Sequence, residues 1–288
     1  MKTNSAVPTQ IGLWVFCLVM AASALIYSGT IHALDQEEGM LLVTDSLVRT
    51  GWFAVNQHLN ISDTTITLIP EQIGPDGNNY LKFGFPTSLL AEDLHVLALV
   101  PPFWAIPCAF LLNPILTALA AVLLFHIVQQ LGFAPSTAAI TALGFGVASM
   151  ALVYTRFFGS EPLVGFSFAL GVWGLLVVKA AQPGAGLAGA AWAGFAIGLG
   201  VATRPATAIV LPIFGAWFLW VLAQKGSWRT WLRPLMAFAL PGLVWLLLVL
   251  AYNWLRFGSL LESGYGSNVT FDTPLLTDLY GQLFSSGK

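Results

Sequence analysis

AFLLNPILTALAAVLLFHIVQQ, residues 109–130, decides the fold, because it contains no Asp, Glu, Lys or Arg. A helix needs about 20 apolar residues to cross the hydrocarbon of a bilayer, so a run of this length and composition reads as a transmembrane span. Further apolar segments at 11–28, 137–153, 162–180, 186–223 and 236–253 read the same way. The 186–223 stretch is a pair of spans broken at Arg204-Pro205, which makes seven crossings in all. With 57% hydrophobic and 8% charged residues over 288 positions, the chain has too little polar surface for a water-soluble domain.

The thirteen acidic residues avoid these spans. Asp35 through Asp93 form one group, Glu161 stands alone, and Glu262, Asp272 and Asp278 lie near the end. A net charge of −2 offers no basic footprint for nucleic acid. Cys17 and Cys108 lie in apolar surroundings, with neither a disulfide framework nor zinc-ligand spacing. Lys225, Arg229 and Arg233 form the basic cluster, which the positive-inside rule places in the cytoplasm. That assignment requires Leu94–Ile106, interrupted by Pro101-Pro102, to be non-spanning. Every acid then falls on the extracytoplasmic side.

Residues 29–93 are too long for a simple connector and predict a structured extracytoplasmic loop. Asp35–Val48 has helical spacing, with Met40, Leu41, Thr44 and Leu47 on one face and Asp35 and Glu38 one turn apart on another. Thr64–Ile69 reads as a strand and Ile73–Asn78 as a turn. Gly194 and Gly198, four residues apart, predict a close helix–helix approach. Gly184, Gly186 and Gly189 match the dinucleotide-binding glycine spacing, but no strand precedes them and they open a span, so they carry no cofactor prediction.

Asp35, Glu37 and Glu38 follow the first span, where a carboxylate can take a proton from a hydroxyl or hold a divalent cation; a solvated loop start is the plainer alternative. Tyr154 to Pro162 sets Arg156 and Glu161 among aromatic residues at a membrane boundary. Snorkelling explains Arg156 without chemistry, and Glu161 before Pro162 suits the first turn of a helix. Lys82, Arg156, Arg204 and Arg256 are single cations on the outer side, against the positive-inside trend, and such cations suit phosphate.

The order of these motifs resembles the GT-C glycosyltransferases over nearly the whole chain. It runs from the acids after the first span through Lys82-Phe83-Gly84, Tyr154-Thr155-Arg156, Ser160-Glu161-Pro162 and Thr203-Arg204-Pro205 to Tyr252-Asn253, Arg256-Phe257-Gly258 and Gly264-Tyr265. It is most similar in look to the protein O-mannosyltransferase and lipid A aminoarabinose transferase group. The resemblance implies an all-α, polytopic transmembrane bundle, formed as one domain over 1–288. It also implies an inverting transfer of sugar from a polyprenyl-phosphate donor to a lipid, glycan or protein acceptor outside the cytoplasm. Asp35 would be the base, with Glu37 and Glu38 as alternatives because Gln36 interrupts the family's acidic pair. Lys82, Arg156, Arg204 and Arg256 would hold the donor phosphate, supported by Glu161, Tyr154 and Tyr265. The last residues, Leu283–Lys288, resemble an internal family segment, which predicts further helices beyond them. The rival readings are a transporter or flippase for a lipid-linked substrate, and a non-catalytic subunit of the same fold.

Overall fold

Hydrocarbon offers the backbone no hydrogen-bonding partner, so each apolar run must satisfy its own N–H and C=O groups by becoming a helix. The computed structural model describes residues 6–27, 35–56, 59–61, 64–66, 72–82, 84–97, 105–182, 186–225 and 228–264. The chain begins with α1 (Ala6–Ile26) and α2 (Asp35–Thr50). Two small hairpins follow, β1 (Leu59–Ile61) with β2 (Thr64–Ile66) and β3 (Gln72–Ile73) with β4 (Asn79–Tyr80). Both are antiparallel, with Asn60 opposite Thr65 and Ile73 opposite Asn79. Then come α3 (Phe85–Leu97), α4 (Ala105–Gln130), α5 (Pro135–Val147), α6 (Met150–Tyr154), α7 (Glu161–Ala180) and α8 (Leu187–Thr203). A 3₁₀ segment at Pro205–Val210 leads into α9 (Leu211–Ala223), and another at Trp228–Thr230 leads into α10 (Leu232–Phe257).

Five helical stretches are long and apolar enough to cross a membrane: Thr9–Ile26, Pro107–Gln130, Glu161–Ala180, Pro205–Ala223 and Leu232–Phe257. Pro135–Val147 and Leu187–Thr203 are apolar but shorter. The span expected over 137–153 is therefore broken. Ser149 takes extended dihedrals and its Oγ accepts the Ala151 N–H at 3.1 Å, so the hydroxyl starts a new helix, α6. Leu94–Ile106 divides between the end of α3 and the start of α4, and 98–104 lie outside the described residues.

Helix α2 forms where its spacing predicts it, with Met40, Leu41, Thr44 and Leu47 all buried. The expected turn is also present, Gly77 donating to the Gly74 carbonyl at 3.0 Å. The strand expected from Thr64 to Ile69 is described as far as Ile66, and the rest lies outside the described residues.

Packing fixes the helix directions. Gly12 faces His126 and Val122, and Tyr27 meets Phe110 edge-on, so α1 and α4 are antiparallel. Gly174 meets Gly189 and Gly171 faces Ile197, so α7 and α8 are antiparallel too, whereas Gly194 against Phe238 and Gly198 against Trp245 set α8 and α10 parallel. A Cβ on Gly194 would fall 1.8 Å from the Phe238 carbonyl oxygen, which is why a small-residue stripe stands there. Val15, Val19 and Phe125 anchor a core between α1, α4 and α5, and Leu175, Ala193 and Phe218 anchor one between α7, α8 and α9. A third core joins α2 and α3 to the bundle through Met40, Leu41, Phe110, Phe158, Leu163 and Leu199. The start of α7 and the ends of α8 and α10 therefore gather at the end that α2 covers.

Candidate functional site

The loop between α6 and α7 is held by side chains distant in sequence. Glu37, on the first turn of α2 and 2% exposed, accepts the backbone N–H of Phe158 at 3.0 Å. Gln36 donates from Nε2 to the Ser160 hydroxyl at 2.7 Å. From α4, the fully buried Asn113 donates its amide to the carbonyls of Phe157 and, at 3.2 Å, Gly159. A buried amide left without partners costs about 1–3 kcal/mol, so these bonds decide whether that position is tolerable in the bundle.

The loop leads directly into Glu161, which opens α7 with Pro162 behind it, where a negative charge meets the positive end of the helix dipole. Its Oε1 takes an ion pair from Arg204 Nη1 at 2.8 Å. Arg204 is the extended residue between α8 and the 3₁₀ segment, with φ −145° and ψ 102°. The first loop presses on the same spot: a Cβ on Gly84 would lie 2.5 Å from the Thr203 carbonyl oxygen, so only glycine lets the backbone at 84 come this close to the end of α8.

Of the residues expected to share one site, Glu37, Glu38, Arg156, Glu161, Arg204, Lys82 and Arg256 all belong to segments at this end. They are not equivalent. Glu37 is occupied in holding the loop, while Glu38 is half-buried. Asp35 is the first residue of α2, and its side chain lies outside the described residues, as does the whole of Tyr265. Arg156 is half-buried, and its Nε has no hydrogen-bond partner among the described residues. Lys82 is half-buried, and Tyr154 is 37% exposed.

Arg256, expected among the phosphate ligands, is 2% exposed and turned toward protein groups. Its guanidinium donates to the Leu81 carbonyl and, at 3.0 Å, to Asn253 Oδ1. It lies 3.7 Å from the Tyr252 ring centroid and 4.4 Å from that of Phe257. This arrangement clamps the end of α10 to the strand that precedes Lys82. Nearby, Tyr80 donates to Asp76 at 2.7 Å and receives the Trp52 indole N–H at 3.0 Å. The Tyr80 hydroxyl and then Asn78 hold the Asp76 carboxyl below the usual carboxylate range, while burial chiefly raises Tyr80. Burial, followed by its neighbour Asp93, pushes Glu92 on α3 upward. No group of three or more His, Cys, Asp or Glu side chains suited to a metal converges among the described residues.

Sequence reading missed Asn113, and it named Gln36 and Ser160 without the bond that joins them. Asn113 carried a usable signal, since an amide within an apolar span needs a partner and marks a contact that matters. The pairing of Gln36 with Ser160 had none, because nothing in either segment marks the other until the fold brings them together.

No protein-family model and no curated protein matches the chain. Among solved structures it is similar to the S. cerevisiae protein O-mannosyltransferase Pmt1-Pmt2 complex bound to the sugar donor, with TM-score 0.59 and 14% identity. The match covers 90% of this chain and 35% of that one, so the chain spans about a third of the length of the protein it resembles. At that identity the likeness speaks for the fold alone. Five helical stretches long and apolar enough to cross a membrane, together with this neighbour, make the chain an all-α helical bundle with a fold like that of the O-mannosyltransferase.

Proposed function

We propose that this chain carries the site of a membrane glycosyltransferase that moves a sugar from a polyprenyl-phosphate donor to an acceptor hydroxyl on the extracytoplasmic side. The acceptor is a lipid, glycan or protein. One observation carries the reading: within a GT-C fold, Gln36 and Glu37 tie the acidic start of α2 to the loop bearing Arg156 and Glu161, across 124 and 121 positions of sequence. Acid and cation are thereby held on either side of one short loop, as a displacement at an anomeric carbon requires.

In this reading the base is Asp35 or Glu38, because Glu37 already spends a carboxylate oxygen on Phe158. The base takes the acceptor's proton as its oxygen bonds to the anomeric carbon. The bond from that carbon to the phosphate oxygen breaks, its electrons pass to the phosphate, and the configuration inverts. Arg156 and Lys82 stabilise the departing polyprenyl phosphate, while Arg204 is steered by Glu161. Arg256 supports Lys82 from behind rather than meeting the donor. The full-length protein in lipid nanodiscs, given radiolabelled polyprenyl-phosphate sugars, should release polyprenyl phosphate and label an acceptor. A correctly inserted protein that releases it from no donor would overturn the proposal.

A further inference from the structure

The 157–159 backbone is contacted at one polar group of each residue by two side chains from different helices. Asn113 donates to the Phe157 and Gly159 carbonyls, and Glu37 accepts the Phe158 N–H between them. Asn113 is fully buried and Glu37 is 2% exposed, so water does not substitute for either. One backbone group on each of three consecutive residues, satisfied in this way, restrains the shape of the loop. Asn113 is also followed in α4 by Pro114, which has no N–H to give the preceding turn. The helix runs on through this proline, one backbone hydrogen bond short, beside the position whose side chain reaches out to the loop.

We infer that Asn113 is a positioning residue: with Glu37 it forms a clamp on Phe157–Gly159 that sets the separation between the acids of α2 and the cations Arg156 and Arg204. This rests on the glycosyl-transfer reading for its consequence, though not for its geometry. The loop is flanked by Arg156 on one side and by Ser160 and Glu161 on the other, and Glu161 in turn holds Arg204 at 2.8 Å. A shift of the loop therefore moves the cations relative to the base. A misplacement on the order of 1 Å costs about a hundredfold in rate.

The test uses Asn113→Leu, which keeps the side chain's size and removes both donors, beside Asn113→Ser, which keeps one hydroxyl donor, in the full-length protein in nanodiscs. Amide hydrogen exchange at Phe158 to Ser160 is read first, because it needs no activity. Exchange there should rise in Asn113→Leu while α7 and α8 stay protected. In sugar transfer, kcat should fall about a hundredfold with donor KM within about threefold, and Asn113→Ser should recover part of kcat. Unchanged exchange at these amides in Asn113→Leu overturns the clamp. So does wild-type kcat, or a loss of kcat that a lowered thermal midpoint accounts for and that Asn113→Ser does not relieve. If the wild-type protein transfers no sugar, the glycosyl-transfer reading fails while exchange still decides the clamp.

Discussion

The two ends of the bundle hold their charges in different ways. At the end where α9 finishes, Lys179 lies 5.8 Å from the Trp220 ring centroid, Arg229 lies 5.9 Å from that of Trp228, and Lys225 donates to the Ala181 carbonyl. The connecting segments 131–134, 181–186 and 224–231 contain no acid at all. Cations there rest on rings and helix-terminal carbonyls, as charges do at a boundary between lipid and water. At the end covered by α2, carboxylates and cations meet backbone and one another across 43 to 175 positions of sequence. An end that anchors needs only the sign of its charge. The proposed chemistry needs charges at set separations, and long-range ties supply those.

The largest expected contrast lies in rate. Asp35→Asn or Glu38→Gln should lower sugar transfer by roughly two to four orders of magnitude with donor binding kept, whereas Lys225→Gln at the other end should leave the rate within about twofold. Near-normal transfer in both acidic variants would return the start of α2 to the status of a solvated helix end.

The next contrast lies within the site end. Arg156→Gln and Lys82→Gln should weaken donor binding by about ten- to a hundredfold, the worth of a charge-assisted contact of roughly 1.5–3 kcal/mol, with little change in thermal midpoint. Arg256→Ala should do the reverse, lowering the midpoint by leaving the Leu81 carbonyl without its donor. Donor titration beside a melting curve separates the two classes. Equal behaviour of Arg156 and Arg256 would erase the distinction drawn from burial.

Sidedness can be checked directly. With Cys17 and Cys108 replaced, Ser259→Cys and Trp228→Cys, both at exposed positions, should react with an impermeant maleimide from opposite faces of sealed vesicles. Reaction of both from one face would break the comparison between the ends.

The smallest effect is a pH response of the β3–β4 hairpin. Asp76, held low by Tyr80 and Asn78, contributes stability that is complete above the ordinary aspartate pKa of about 3.9 and is lost as pH falls through the lower folded value. Trp52, bonded to the Tyr80 hydroxyl, should report that loss by fluorescence below about pH 4, with no change between pH 5 and 8. Asp76→Asn should abolish the response.

Much of the fold was legible because the bilayer reduces its problem to one dimension. A run such as 109–130 must be a helix wherever it packs. The amphipathic pattern of Met40, Leu41, Thr44 and Leu47 likewise declared α2. The break at Ser149 was less visible, since one hydroxyl among apolar neighbours reads as continuation until its cap bond is seen. Arg204 and Arg256 show the limit for the site. Both are isolated arginines at the end of an apolar helix, yet one forms an ion pair at 2.8 Å with side chains still partly exposed, and the other is sealed against aromatic rings.

By itself, then, the sequence determined which segments are long and apolar enough to cross a membrane, that these are helical, and that acids stay out of their interiors. These follow from transfer free energy and backbone satisfaction, which depend on local composition. Tertiary structure alone decided that Glu37 and Asn113 grip the same loop, that Glu161 takes Arg204, and that Arg256 is buried against the Leu81 carbonyl, Asn253 and two aromatic rings. Those outcomes depend on which side chains are brought within about 3 Å of each other, a distance set by helix packing and not encoded in the spacing of any one segment.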